Sequence, residues 1–130
     1  MIVEDHFVVR VGLKAIINSQ PDMETVAEAG NGRQAVETFE RHVPDVTLMD
    51  LRIPGMNGRQ FFEAVQQKSP ELATRIVFLT GDMVSDSTRM FLESVGNPYL
   101  AKPFHLANVR ETIAKVMASH EAETAAAHAA

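Results

Sequence analysis

The sequence predicts an α/β fold built on a doubly wound parallel sheet, and three observations carry that expectation. Short apolar runs recur without polar interruption, amphipathic stretches alternate with them, and a chain of 130 residues with 45% hydrophobic residues has the size of one domain. Ile2-Val3 is the first strand, followed by a helix from about Val8 to Asn18. A second strand is expected near Thr25 to Ala29 and a second helix from Gly32 to Arg41. The buried run Val46-Thr47-Leu48-Met49 ends in Asp50 and leads through a Pro-Gly loop into a helix from Gly58 to Lys68. Ile76-Val77-Phe78-Leu79 forms the fourth strand, ending at Thr80. A helix near Asp86 to Ser94, a strand Tyr99-Leu100-Ala101 and a helix from Leu106 to Ala118 complete five βα units. The segment EAETAAAHAA, Glu121 to Ala130, reads as an alanine-rich tail, frayed helix end or linker beyond a domain over residues 1–120.

Composition removes whole classes of function. A chain without cysteine has no disulfide scaffold and no thiolate-ligated metal, and its size buries enough surface for a core without either. Twelve Lys and Arg against 17 Asp and Glu give a net charge of −5, which argues against direct nucleic-acid binding by this chain. No apolar run approaches the roughly 20 residues of a membrane span, and the first residues lack the pattern of a signal peptide. The expectation is a cytoplasmic chain that does not enter a membrane.

In doubly wound sheets ligands bind beyond the carboxyl ends of the strands, so the residues there are the ones to read for chemistry. Glu4 and Asp5 follow the first strand, Asp50 ends the third, Thr80 and Gly81 end the fourth, and Lys102-Pro103 follow the fifth. Each has a bland alternative: Asp5 as a helix cap, Asp50 as a turn residue, Thr80 as core, Lys102 as solvated surface. Their convergence favours a site. Carboxylates gathered in one crevice repel by about 4 kcal/mol per close pair at 4 Å and an effective dielectric of 20, a cost a divalent cation removes. Oxygen donors without cysteine or a histidine pair select Mg²⁺ or a similar hard ion. A carboxylate, a hydroxyl, an ammonium and such an ion are equipment for phosphoryl transfer, with Asp50 as the in-line nucleophile.

Four blocks carry a family resemblance: VED at Val3 to Asp5, LMDLRIPGMNG at Leu48 to Gly58, FLTGD at Phe78 to Asp82, and YLAKPF at Tyr99 to Phe104. With Asp50, Thr80 and Lys102 spaced 30 and 22 positions apart, the chain closely resembles the receiver domain of two-component response regulators over nearly its whole length. The resemblance implies a flavodoxin-like (βα)5 three-layer sandwich with strand order 2-1-3-4-5. It makes Asp50 the phosphoacceptor, with Glu4, Asp5, Asp50 and the backbone carbonyl of Arg52 around Mg²⁺, or Mn²⁺ in its place. Thr80 becomes the switch hydroxyl, Tyr99 the switch aromatic and Lys102 the phosphate-binding ammonium, with a cis peptide between Lys102 and Pro103. The implied donor is a phosphohistidine on a sensor histidine kinase or a histidine phosphotransfer protein. The implied output is a population shift that changes the face made by the fourth helix, fifth strand and fifth helix, a surface also suited to homodimers.

Some features depart from the family pattern. Only Met1, Ile2 and Val3 precede the acid pair, and so short a central strand is expected to lower stability. Residues Glu4 to Gly58 resemble receivers that carry a helix-turn-helix output, whereas Arg75 to Phe104 resemble receivers of hybrid histidine kinases. The chain is therefore read either as a stand-alone regulator or as a receiver from a larger protein. Arg52 and Asp82 sit two positions beyond Asp50 and Thr80, where the family places side chains that tune phosphoryl lifetime. An ion pair between them across the mouth is one reading, and two separately solvated charges is the other.

His6 is read as a polar residue opening the first helix, with approach to the metal as the alternative. His42, His105, His120 and His128 are too scattered to form a cluster, and Phe61, Phe62, Phe91 and Phe104 are expected in the core or on a partner face. A turnover phosphatase of the haloacid dehalogenase type is disfavoured because Arg52 stands where that class places its second aspartate. A flavin-binding flavodoxin lacks support because the first loop has no phosphate cradle. A binding module that works without phosphorylation would normally have lost the acceptor, the acids or the lysine, all of which this chain retains.

Overall fold

The computed structural model describes residues 1–81 and 85–129. Five parallel strands, β1 (Ile2–Val3), β2 (Glu28–Ala29), β3 (Thr47–Asp50), β4 (Ile76–Thr80) and β5 (Tyr99–Ala101), lie in the order β2-β1-β3-β4-β5. Five helices connect or follow them: α1 (Phe7–Asn18), α2 (Gly32–His42), α3 (Gly58–Lys68), α4 (Asp86–Val95) and α5 (Leu106–Ala129). This is the flavodoxin-like architecture expected from the sequence.

Strand residues alternate between two cores because successive side chains point to opposite faces of a sheet. Val3, Met49, Ile76 and Phe78 face α2, α3 and α4, where they meet Phe39, Phe61, Phe62 and Phe91. Phe78 lies 5.2 Å from Phe91 and 6.1 Å from Phe62 between ring centroids, and the first of these pairs is T-shaped. Ile2, Leu48, Val77, Leu79 and Leu100 face the other way, onto Leu13 and Ile17 of α1 and Val109, Ile113 and Val116 of α5. Phe61, Phe62 and Phe91 are therefore core residues, and Phe104 packs at the margin of the second cluster.

The structure differs from the sequence reading in four places. The second strand pairs only at Glu28–Ala29, not from Thr25, because its one neighbour, β1, is itself two residues long. A short helix, Pro70–Ala73, precedes β4, with Ser69 as its N-cap and proline in its first turn. The Pro-Gly loop after Asp50 is ordered as a hairpin in which Arg52–Ile53 pairs antiparallel with Met56–Asn57. The last helix does not stop at Ala118 but continues to Ala129 through the alanine-rich segment, whose residues favour helix and include no breaker.

That hairpin fixes the chain beside Asp50. Gly55 takes φ +83° at its tip, a region that glycine enters without steric cost. Gly32, the first residue of α2, donates its N–H to the Pro54 carbonyl at 3.0 Å. Any Cβ there would lie 2.0 Å from Met56 Cβ, so only glycine allows the approach.

Candidate functional site

Because the strands are parallel, their carboxyl ends bring Glu4 and Asp5, Asp50, Thr80 and Lys102 to one edge of the sheet. Glu4 is 0% exposed and Asp50 4%. Asp50 Oδ1 accepts the Arg52 backbone N–H at 2.9 Å, and Asp50 Oδ2 accepts Lys102 Nζ at 2.7 Å. The same ammonium stands 3.0 Å from Glu4 Oε2. Lys102 is held in place by its own N–H, which donates to the Thr80 carbonyl at 2.7 Å, and the Lys102-Pro103 peptide is cis, as expected. Glu4 is held by its N–H on the Ala29 carbonyl and by Arg10 Nη1, which donates to the Glu4 carbonyl at 2.9 Å.

The charges set one another's protonation. Burial is the largest influence on Asp50 and, with Glu4 beside it, pushes the carboxyl above the usual carboxylate range in spite of Lys102 and the Arg52 N–H. Burial also acts to raise Glu4, but hydrogen bonds to Asp50, His6 and Lys102 together hold it below that range. For Lys102 burial acts downward, and its hydrogen bonds to Asp50 and Glu4 outweigh it, so the ammonium is held above its ordinary value.

Thr80 is buried at the end of β4, at 2% exposure, while Tyr99 opens β5 with 45% of its surface exposed, turned toward solvent. Arg52 is exposed on the hairpin at the mouth of the site, and Asp82 lies outside the described residues, so the Arg52–Asp82 pair does too. Of the sequence-derived residues, Glu4, Asp50 and Lys102 are in direct contact, and Asp5 joins them through His6.

His6 opens α1 as the sequence reading has it, and its side chain also reaches the acid pair. It occupies the N-cap of α1, yet its side chain makes no capping bond. Its Nδ1 lies 2.8 Å from Glu4 Oε1 and 3.3 Å from Asp5 Oδ1. The hydrogen bond to Glu4, with the charge of Asp5, raises its pKa above the ordinary value. The signal was available in the run Glu4-Asp5-His6 at a strand end, where a third polar side chain has two acids within reach.

The residues fit a hard divalent cation. Glu4, Asp5, His6 and Asp50 each offer a donor atom within 4.8 Å of the others. Glu4 Oε2 is buried, with the Lys102 ammonium 3.0 Å away. Carboxylate oxygens in this number suit Mg²⁺, which keeps several waters and takes few protein ligands.

The sequence profile described as the response regulator receiver domain matches residues 1–114. The nitrate/nitrite response regulator protein NarL of Escherichia coli K12 is 35% identical over 102 residues, covering 78% of this chain and 46% of NarL. The chain spans about half the length of the curated relatives it matches. The receiver domain of AraT, a response regulator from Geobacillus stearothermophilus, superimposes with a TM-score of 0.81 at 32% identity, covering 95% of both chains. The receiver domain of the sensor histidine kinase PA1611 from Pseudomonas aeruginosa PAO1 does so with a TM-score of 0.77 at 28% identity, covering 90% of this chain and 94% of that one. That protein has a magnesium ion coordinated in its active site cleft.

Proposed function

The chain belongs to the family of response regulator receiver domains, and from that premise we propose that Asp50 accepts a phosphoryl group from a phosphohistidine of a partner histidine kinase or phosphotransfer protein. The observation that carries the assignment is the buried Asp50 carboxylate, held by Lys102 Nζ at 2.7 Å and by the Arg52 N–H at 2.9 Å. A carboxylate oxygen of Asp50 attacks phosphorus, the P–N bond of the donor breaks, and an acyl phosphate forms on Asp50. Lys102 supplies a fixed positive charge where negative charge gathers on the transferring group, without reorganisation at the moment of reaction. Glu4, Asp5, Asp50 and the Arg52 carbonyl would hold Mg²⁺, with Mn²⁺ as the alternative ion. When bound, the cation neutralises the carboxylates and the incoming phosphoryl oxygens. Thr80 supplies a hydroxyl for the phosphorylated state, and Tyr99 leaves its exposed position to pack behind it. That inward movement repacks the face made by α4, β5 and α5, where Met90 is 69% exposed, and this face is the proposed homodimer surface.

The family is regulatory, so this chain changes its own state rather than turning over an external substrate, and it makes no nucleic-acid contact of its own. Among the described residues no helix is long and apolar enough to cross a membrane, and we place the chain in the cytoplasm with its kinase. The parent protein is read as a transcriptional response regulator, as the half-length matches to NarL and to the transcriptional regulatory protein LiaR of Bacillus subtilis favour. The likeness to the PA1611 receiver supports the second parentage, a histidine kinase that carries a receiver.

The test is intact-mass spectrometry of the chain and of Asp50→Ala after incubation with acetyl phosphate, with and without Mg²⁺. A single Mg²⁺-dependent phosphoryl adduct on the chain, absent from Asp50→Ala, is expected. An adduct that persists on Asp50→Ala would remove Asp50 as the acceptor.

A further inference from the structure

We infer that His6 belongs to the coordination sphere of this cation site and biases it toward Mn²⁺ and later first-row ions over Mg²⁺. The inference rests on the cation reading above and adds a nitrogen donor to it. Its basis is where the ring points. An N-cap side chain ordinarily accepts a backbone N–H from the first helical turn. His6 holds the N-cap position and makes no such bond. The ring turns back across the strand end, where Nδ1 reaches Glu4 Oε1 at 2.8 Å and Asp5 Oδ1 at 3.3 Å. The backbone N–H of His6 donates to the same Glu4 oxygen at 3.2 Å, so the main chain holds the ring beside that carboxylate.

The dimensions suit a shared ion. Opposite ligands of an ion bonded at about 2.1 Å stand about 4.2 Å apart. The four donor atoms of Glu4, Asp5, His6 and Asp50 fall within 4.8 Å of one another, so a small adjustment of exposed Asp5 and His6 closes them on one centre. Glu4 and Asp50 are buried and already fixed.

Donor chemistry then sets the preference. Mg²⁺ prefers oxygen and gives up its waters reluctantly, so it gains little from an imidazole. Affinity for a nitrogen-containing site rises along the first-row divalent ions from Mn²⁺ to Cu²⁺. A site of carboxylates alone would discriminate less between Mg²⁺ and Mn²⁺.

The experiment is a Mn²⁺ titration of the full chain followed by electron paramagnetic resonance of the free ion, with Mg²⁺ in competition. Pulsed measurement of the bound Mn²⁺ for coupling to ¹⁴N accompanies it, on the chain and on His6→Ala. His6 has 67% of its side chain exposed, so the substitution should leave the core intact, and circular dichroism of the variant checks that. The expected result is ¹⁴N coupling in the chain and none in His6→Ala. Mn²⁺ affinity should fall roughly tenfold on substitution while Mg²⁺ affinity stays within about a factor of two. Mn²⁺ bound without ¹⁴N coupling overturns the role of His6 and leaves the oxygen site standing. Coupling and affinity unchanged in His6→Ala overturn it as well. A chain that binds neither ion overturns the cation reading and this inference together.

Discussion

At the carboxyl end of the sheet Lys102 Nζ lies 2.7 Å from Asp50 and 3.0 Å from Glu4, and its pKa is held above the ordinary value. At the amino end the α-amine of Met1 donates to the Val46 carbonyl at 2.8 Å, and its pKa is lowered to about 6 by burial. Burial presses both amines toward the neutral form. The outcome differs because Lys102 is hydrogen-bonded to two buried carboxylates, whereas Met1 donates to a neutral carbonyl and the charge of Asp45 does not offset its burial. Beside Met1 lies a cavity of about 150 Å³ lined by apolar Ile17, Met23, Leu48, Ile113 and Met117 together with acidic Asp22, Glu24 and Asp45. A carbonyl satisfies a donor without compensating its charge. The same functional group is therefore held above its ordinary pKa at one end of the sheet and below it at the other.

Removing the ammonium at the carboxyl end should have the largest effect on stability. Lys102→Met leaves two buried carboxylates without their cation, and loss of one partner of a buried pair costs about 3–5 kcal/mol. A drop of that size in urea-unfolding free energy without divalent ions is expected. An unchanged midpoint would show that Glu4 and Asp50 balance each other by sharing a proton.

The amino end should respond to pH. The folded pKa of the Met1 amine, about 6, lies below its unfolded value of 8.0, so between those values the unfolded chain binds more protons. Its contribution is complete above pH 8.0 and is lost as pH falls to about 6, a change of about 2–3 kcal/mol. The stability difference between the chain and an N-terminally acetylated form isolates this contribution from that of His6, whose pKa is raised by Glu4 and Asp5. If that difference does not vary over the window, the amine is not desolvated. The smallest expected effect belongs to Asp45, whose charge raises the Met1 pKa from an exposed position. Asp45→Asn should lower that pKa further and change stability at pH 7 by no more than about 0.5 kcal/mol.

Much of this was legible in the sequence. The strands of a parallel sheet are apolar throughout and end where polarity begins, so Asp50, Thr80 and Lys102 mark both the ends of their strands and the site. The length of β2 was missed although the brevity of β1 was legible at Ile2-Val3, because nothing between Thr25 and Ala27 marks where pairing with β1 stops. The helix at Pro70–Ala73 was legible in principle, since Ser69 and Pro70 spell a cap and a first turn. The direction of the His6 ring was not, because local pattern places a histidine at a helix start equally well whether its side chain caps the helix or turns to the acids. The buried amine of Met1 was invisible for the same kind of reason: only assembly of the sheet shows which atoms water cannot reach.

The two-residue central strand has a mechanical consequence. Within the ladder β2 touches only β1, and β1 is in register with its neighbours at Ile2 and Val3, with hydrogen bonds of Met1 and Glu4 adding one residue at each end. By contrast, β3 and β4 are paired across four positions, from Thr47 with Ile76 to Asp50 with Leu79. A load drawn across the sheet would thus reach its weakest rung at Ile2–Val3, and the molecule would tear along that seam with β3, β4 and β5 still joined. Glu4 and Asp5 follow directly on that rung, so tearing there would carry the acid pair away from Asp50 and Lys102, and tension would silence the site before it unravelled the sheet.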